Sequence, residues 1–179
     1  MTMPLSIRAA VLSDVPVVTR IYAHAVEHGT ASFELDPPDE AEIRLRMQAL
    51  LDGNFPYVIA EIDGAVVGYA YAALYRTRPA YRFTLEDSVY IDPAAQGRGV
   101  GRALLNRLIG ESERRGYRQL IAIIGDSAQL ASIALHRAAG FRFVGNIENV
   151  GFKFGRWLDS VIMQRALGEG ATTTPDHAS

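Results

Sequence analysis

The chain has no cysteine, which excludes disulfides, thiolate zinc sites and a cysteine acyl-enzyme. Lysine is almost missing too. Lys153 is the one lysine, and no glycine precedes it, so the GxxxxGK[ST] phosphate loop is ruled out. The GxSxG turn of serine hydrolases is absent. His24 and His28 stand four apart, but no third ligand or HExxH pattern accompanies them, and no metal site is expected. Positive charge is not in excess. A formal charge of -2 and a pI near 6.1 offer no field for nucleic acid or an anionic membrane. No apolar run is long enough to span a bilayer, and residues 1–10 lack a signal-type apolar core, so a cytoplasmic protein is expected. Neither an internal repeat nor a linker divides the chain.

Its 179 residues, 49% hydrophobic and 21% charged, suit a single domain with one substantial core. The most informative segment is Gln96-Gly97-Arg98-Gly99-Val100-Gly101, placed between a strand-like stretch and a helix-like one. Glycines remove the Cβ atoms that would hold an anion away from backbone N–H groups, and the following helix points its positive dipole end into the same loop. The segment reads as a pyrophosphate cradle. A dinucleotide fingerprint fits less well. Counting from Gly97, the sixth position is Arg102 rather than glycine, and the loop lies mid-chain after several antiparallel strands.

Periodicity predicts a strand at 6–10, then a helix capped by Ser13 and Asp14 and stopped by Gly29. A loop over 30–38 carries an isolated Phe33, and Asp39 opens a second helix whose Ile43, Met47, Leu50 and Leu51 share a face. Strands at 57–62 and 65–73 meet at Asp63-Gly64, a two-residue hairpin pair. After a loop at 75–83, a strand at 84–91 feeds the glycine segment. A helix from 102 to about 115, a strand at 119–124 and a helix at 127–139 follow. Two last strands at 141–149 and 158–165 turn through residues 151–155. The expected class is α/β, a mixed sheet with helices on both faces.

Gln96, Gly99 and Gly101 match the acetyl-CoA loop, Gln/Arg-x-x-Gly-x-Gly/Ala, of the GNAT N-acetyltransferases, and the element order agrees along residues 5–167. The chain therefore resembles that family, and more narrowly its phosphinothricin acetyltransferase branch. The runs at 21–26, 30–33, 78–81, 86–91 and 151–159 are similar to segments of the branch. The resemblance implies a single GNAT domain over 1–167. Glycine, alanine, threonine and proline dominate residues 168–179, where a disordered tail is expected. The resemblance also implies acetyl-CoA as co-substrate, no metal, a small amine as acceptor and a homodimer. Acetyl-CoA would rest on Gln96, Gly97, Arg98, Gly99, Val100, Gly101 and Arg102. Main-chain groups at Val89, Tyr90 and Ile91 would take the thioester carbonyl or the pantetheine amides. Ser132 lies on what looks like the family's second CoA-contacting helix. Gln129 sits where the family commonly has an asparagine contacting CoA, with a longer arm.

An amine in water has a pKa of about 7.7–8.0 on an α-carbon and about 10.4 on lysine, and only the free base attacks a thioester. Deprotonation at pH 7 costs roughly 1–5 kcal/mol, which a carboxylate base would help meet. Strand alternation puts Glu86, Ser88 and Tyr90 on one face and Asp87, Val89 and Ile91 on the other. Glu86 occupies the branch's base position. His136 stands where many relatives place a tyrosine that protonates the leaving thiolate, and the branch also has histidine there; packing is the alternative role. Arg76, Arg78 and Tyr81 could bind a carboxylate or phosphinate through a guanidinium fork, or be solvated loop charges. Phe33 would wall that pocket, and Trp157 and Lys153 could be core and surface respectively or complete the pocket from the final hairpin. Two alternatives remain open: acetylation of a protein N-terminus or antibiotic amine, and a non-catalytic acyl-CoA sensor.

Overall fold

The computed structural model describes residues 5–175. Seven strands form one mixed sheet in the order β1-β2-β3-β4-β5-β7-β6. In chain order these are β1 (Ser6–Ala9), α1 (Val15–His28), α2 (Glu40–Asp52), β2 (Tyr57–Ile62), β3 (Ala65–Leu74), β4 (Thr84–Ile91), α3 (Val100–Arg114), β5 (Gln119–Gly125), α4 (Leu130–Ala138), β6 (Arg142–Lys153) and β7 (Arg156–Ala166). Every pairing is antiparallel except β4 with β5. The expected mixed sheet with helices on both faces is what the chain forms.

Period-two alternation divides the core into two layers. On one face Val58, Ala60, Ala70, Leu85 and Leu120 pack under Leu104, Leu105 and Leu108 of α3. On the other, Tyr57, Ile59 and Tyr69 meet Val18 and Ile21 of α1 and Ile43 and Met47 of α2. The three α3 leucines are 0% exposed, so each contributes roughly 1.5–3 kcal/mol relative to an exposed position. No helix among the described residues is long and apolar enough to cross a membrane.

Several boundaries differ from the periodic reading, each for a local reason. Asp14 does not cap α1 with its side chain; it accepts from Val11 N–H and from the Arg8 guanidinium instead. The third helix begins at Val100, not 102, because Gly99 turns the chain in at φ 80°. The fourth begins at Leu130, since the Ser127 hydroxyl is committed to Asp159 and the N–H of Ala128 to Asp126. The last two strands run through most of the expected 151–155 turn. Only Phe154 and Gly155, at φ 51° and 72°, reverse the chain, and a register shift between Ile147 and Gly151 absorbs Asn149 at φ 53°. Of the segment 168–179, residues 168–175 are described. Arg118 donates there to the carbonyls of Gly170 and Thr174 and to the Thr173 hydroxyl. Residues 176–179 lie outside the described chain.

Candidate active site

The parallel ladder between β4 and β5 stops early. It runs from Thr84 opposite Gln119 to Asp87 opposite Ala122, although β4 continues to Ile91 and β5 to Gly125. The strands follow different partners from there: β4 stays with β3 and β5 with β7 to their ends. They part, and a cleft of about 300 Å³ opens between them. Every second main-chain amide of residues 88–91 thereby faces the cleft instead of a neighbouring strand. Glu86, Asp87, Ser88, Val89 and Tyr90 form one wall and residues 123–125 the other, with Ser32 and Phe33, Gln129 just before α4, and Ser132 and His136 of α4 completing the lining.

Glu86 is partly buried in this wall. Burial raises its carboxyl above the usual range and the Asp87 charge adds to the rise, with Arg76 opposing. That places a carboxylate with enhanced basicity at the cleft. Asp87 leaves the strand on the other face, as alternation requires, yet it also borders the cleft, and its Oδ2 lies 2.8 Å from Nε2 of His136. His136 is 4% exposed. Its Nδ1 is 2.8 Å from the Ser132 carbonyl, and the ring stands edge-on to Phe141, centroids 5.0 Å apart. Burial lowers the imidazole pKa, but the bond to Asp87, its charge and the Ser132 carbonyl outweigh burial, and the net shift is upward.

Beyond β4 the glycine loop presents bare backbone. Gly97 and Gly99 have φ of 73° and 80°, and a Cβ at either would meet only open space. These are left-handed positions with room for an anion, and glycine is there for conformation. Gly101 has another reason. It lies inside α3, and a Cβ would come within 2.9 Å of Ile91 and 3.3 Å of Leu135, so it lets α3 approach β4 and α4. Ala103 N–H bonds to the Gly99 carbonyl, while the N–H groups of residues 100–102 belong to the first turn, where a helix leaves its donors without internal partners. Arg98 and Arg102 flank them, exposed. The cradle fits a diphosphate.

Elsewhere the cleft lining is built from side chains. The segment 29–33 is tied down by Lys153, 4% exposed, whose Nζ donates to the carbonyls of Gly29 at 3.0 Å and Ser32 at 2.9 Å. Thr30 donates to Asp126 and the Tyr22 hydroxyl meets that of Ser32 at 2.9 Å. Asp126, itself at φ 73°, also takes Arg156 and the Ala128 N–H. Burial would raise its carboxyl, but these donors hold it below the ordinary range. The Phe33 ring fills the space over two glycines: a Cβ at Gly125 or Gly151 would lie 2.7 Å or 2.4 Å from it.

The structure thus brings Glu86, Val89, Tyr90, Gln129, Ser132, His136 and Phe33 into one cleft. Other expected residues sit differently. Gln129 donates its amide to the Thr30 hydroxyl, and the Ile91 side chain packs beneath α3. Lys153 lies behind the cleft, holding backbone. Arg76 covers the Tyr75 ring at 4.6 Å, Tyr81 stands edge-on to Tyr75 at 5.8 Å, and Arg78 precedes the short turn Pro79–Tyr81; these three occupy the segment leading into β4, outside the cleft lining. Sequence reasoning passed over Asp87, Thr30, Asp126 and Arg156. Their roles come from residues 30 to 96 positions away, and the one local sign, Asp126 in a left-handed conformation, is invisible in a sequence. No cluster of three or more His, Asp or Glu able to hold a metal exists among the described residues.

Residues 19–141 match the model of the acetyltransferase (GNAT) family. A phosphinothricin N-acetyltransferase of Alcaligenes faecalis is 58% identical over 163 residues, covering 91% of this chain and 83% of that protein. An L-methionine sulfoximine/L-methionine sulfone acetyltransferase of Salmonella typhimurium is 42% identical, over 93% of this chain and 97% of its own length. Among solved structures, a GNAT superfamily phosphinothricin acetyltransferase from Sinorhizobium meliloti in complex with acetyl-CoA superposes with a TM-score of 0.95, at 48% identity, covering 98% of this chain and 95% of that one. The chain belongs to the GNAT family and is an N-acetyltransferase that uses acetyl-CoA.

Proposed function

We propose that this GNAT enzyme acetylates the α-amine of a small amino acid or analogue of the phosphinothricin, methionine sulfoximine or methionine sulfone type, by direct transfer in a ternary complex. The observation that carries the reading is Glu86, a partly buried carboxylate of raised pKa in a cleft that opens beside a diphosphate cradle. The activities named for the relatives that are 58% and 42% identical support the acceptor class. The absence of cysteine removes the usual thiol route to an acyl-enzyme.

Acetyl-CoA, when bound, supplies the activated acyl group. Gln96, Gly97, Arg98, Gly99, Val100, Gly101 and Arg102 hold its diphosphate with main-chain N–H groups and two guanidinium charges. Along Val89, Tyr90 and Ile91 the alternate main-chain groups that face the cleft instead of β3 receive the pantetheine arm and the thioester carbonyl, with Ser132 and Gln129 on the α4 side. Glu86 removes the proton from the acceptor amine. His136 lines the same cleft with both ring nitrogens engaged, Nε2 by Asp87 and Nδ1 by the Ser132 carbonyl. Arg76, Arg78 and Tyr81, carried by the segment that enters β4, reach toward the acceptor's acid group, and Phe33, kept in place by Lys153, walls its side chain.

The enzyme works as a homodimer on this reading. Support comes from β6, an edge strand of 12 residues whose side leaves Phe143, Val144, Ile147, Val150 and Phe152 about half exposed, as are Phe154 and Trp157 beside it. An edge strand with this many exposed apolar side chains among its polar ones fits a second copy. Sedimentation should give twice the chain mass, and charges placed at Val144 and Ile147 should give the monomer.

The acceptor is tested by following thiol release from acetyl-CoA with phosphinothricin, methionine sulfoximine, methionine sulfone, free amino acids, peptides and aminoglycosides. The first three should give the highest kcat/KM. Preference for a peptide or aminoglycoside would replace the acceptor assignment, and silence with every amine while CoA still binds would make the protein an acyl-CoA sensor.

A further inference from the structure

Two glycines near the cleft are glycine for a reason that backbone conformation does not supply. Gly125 ends β5 and Gly151 lies on β6, and neither has a positive φ. What leaves no room for a side chain is the Phe33 ring. A Cβ at Gly125 would stand 2.7 Å from Cε1 and 3.2 Å from Cδ1, and one at Gly151 would stand 2.4 Å from Cε2 and 2.7 Å from Cδ2. These are opposite edges of the ring. Gly125 pairs with Ser160 and Gly151 with Leu158, so the two glycines flank β7 and the ring straddles that strand.

The backbone that carries the ring is fastened to the same two strands. Lys153, two residues from Gly151 and on the same face of β6, donates to the carbonyls of Gly29 and Ser32. Thr30 donates to Asp126, the residue after Gly125, whose own N–H is bonded to the Asp159 carbonyl at 2.8 Å. Phe33 is 39% exposed, and its free side belongs to the cleft, which it lines together with Gly125 and Ser160. Carbon atoms in contact lie about 3.5–4.0 Å apart, so a methyl group at Gly151 would displace the ring by about 1 Å or more. With the backbone held, the space the ring moves into is the cleft.

We propose that Gly125 and Gly151 are positioning residues for acceptor selection: their bare Cα atoms let the Phe33 ring sink onto β7, and the depth of that seat sets the breadth of acceptor side chain the cleft takes. This rests on the acetyl-transfer reading above and adds no step to the chemistry. CoA binding and proton removal by Glu86 do not depend on it. The two positions differ in one respect. A Cβ at Gly125 would also come within 2.5 Å of the Thr30 carbonyl oxygen, which is backbone, whereas the three atoms nearest a Cβ at Gly151 all belong to the ring. Gly151 is therefore the position where the ring alone decides.

Steady-state kinetics with methionine sulfone and phenylalanine as acceptors tests the role, with the CoA Kd from calorimetry beside it. Gly151→Ala should raise the methionine sulfone KM roughly fivefold or more, with kcat and the CoA Kd within about twofold. Phe33→Val, which removes the ring, should raise kcat/KM for phenylalanine relative to methionine sulfone roughly tenfold or more. In the Phe33→Val background Gly151→Ala should change the acceptor KM by less than about twofold, because the two side chains no longer compete for one space. Gly125→Ala should be rescued far less by Phe33→Val, since its clash with Thr30 remains. An unmoved acceptor KM in a folded Gly151→Ala, losses that multiply in the double variant, or an unchanged acceptor preference in Phe33→Val would each overturn the role. If Gly151→Ala folds only together with Phe33→Val, the clash with the ring is established and the acceptor preference of Phe33→Val decides. Silence of the wild type with every amine would remove the transfer reading itself, whereas activity with these acceptor constants unmoved would remove only the role of the two glycines.

Discussion

The glycine loop beside the cleft and the 29–33 segment that lines it are built on opposite plans. The glycine loop offers backbone: Gly97 and Gly99 leave open space at left-handed φ, and the flanking arginines are exposed. The 29–33 segment offers side chains, held by Lys153, Asp126, Arg156 and Tyr22 from different elements and turns. A region that meets the invariant diphosphate of a co-substrate can be made of main-chain dipoles, which every sequence has. A region that distinguishes one acceptor from another needs particular side chains fixed at particular places, because selectivity between small molecules comes from shape and from polar groups that would otherwise go unpaired.

That contrast can be broken most severely between the two regions, at the chemistry. Glu86→Gln should reduce kcat by about 10²–10⁴-fold with little change in the CoA Kd, measured by calorimetry beside the kinetics. In the wild type, kcat/KM should fall with decreasing pH through a limb above the ordinary glutamate range, since the raised pKa of Glu86 protonates the base early. The variant should lack that limb, and if it keeps it, Glu86 is not the base.

Next in size is the side-chain region. Lys153→Met removes the donor for two buried carbonyls, at about 1–3 kcal/mol each, so Tm should drop on the order of 10 °C. The acceptor KM should rise as residues 29–33 loosen, with CoA binding unchanged. An equal loss on both substrates would mean that the segment serves the whole cleft.

A smaller effect belongs to the backbone region. Gly99→Ala places a Cβ at φ 80°, a strain of about 1–2 kcal/mol. That strain is present with or without CoA, so Tm should fall by roughly 2–8 °C. The added Cβ, standing in the open space beside the loop, should weaken the CoA Kd with the acceptor KM at saturating acetyl-CoA unmoved. Arg98→Ala should matter least, weakening CoA by less than about tenfold at low salt and scarcely at all at about 0.5 M, because an exposed charge is screened. A large, salt-independent loss would show Arg98 to be a buried-type contact after all.

Much of this was legible from residue order. The Asp63-Gly64 hairpin, the strand at 84–91 and the glycine-rich turn each depend on neighbours within a few positions, whereas the base role offered for Glu86 came from the family resemblance. The rest depended on distance. Gln129 carries the amide suited to a CoA contact, but the structure spends that amide on Thr30, 99 positions away. Lys153 seemed fit to touch a substrate, and it holds the backbone of Gly29 and Ser32. Alternation sent Asp87 away from Glu86 correctly, yet could not say that both faces of β4 border the same cleft once β5 turns aside.

The order of residues by itself settled the Asp63-Gly64 reversal, the glycine-rich turn after β4 and which faces of each element are apolar, since these are set by sterics and periodicity within one segment. Only the folded chain decided that β4 and β5 separate after Asp87, that one lysine ties a distant segment in place and that His136 faces two acceptors. Those outcomes arise from packing between elements remote in sequence, where the demand that every buried polar group find a partner selects contacts no local pattern encodes.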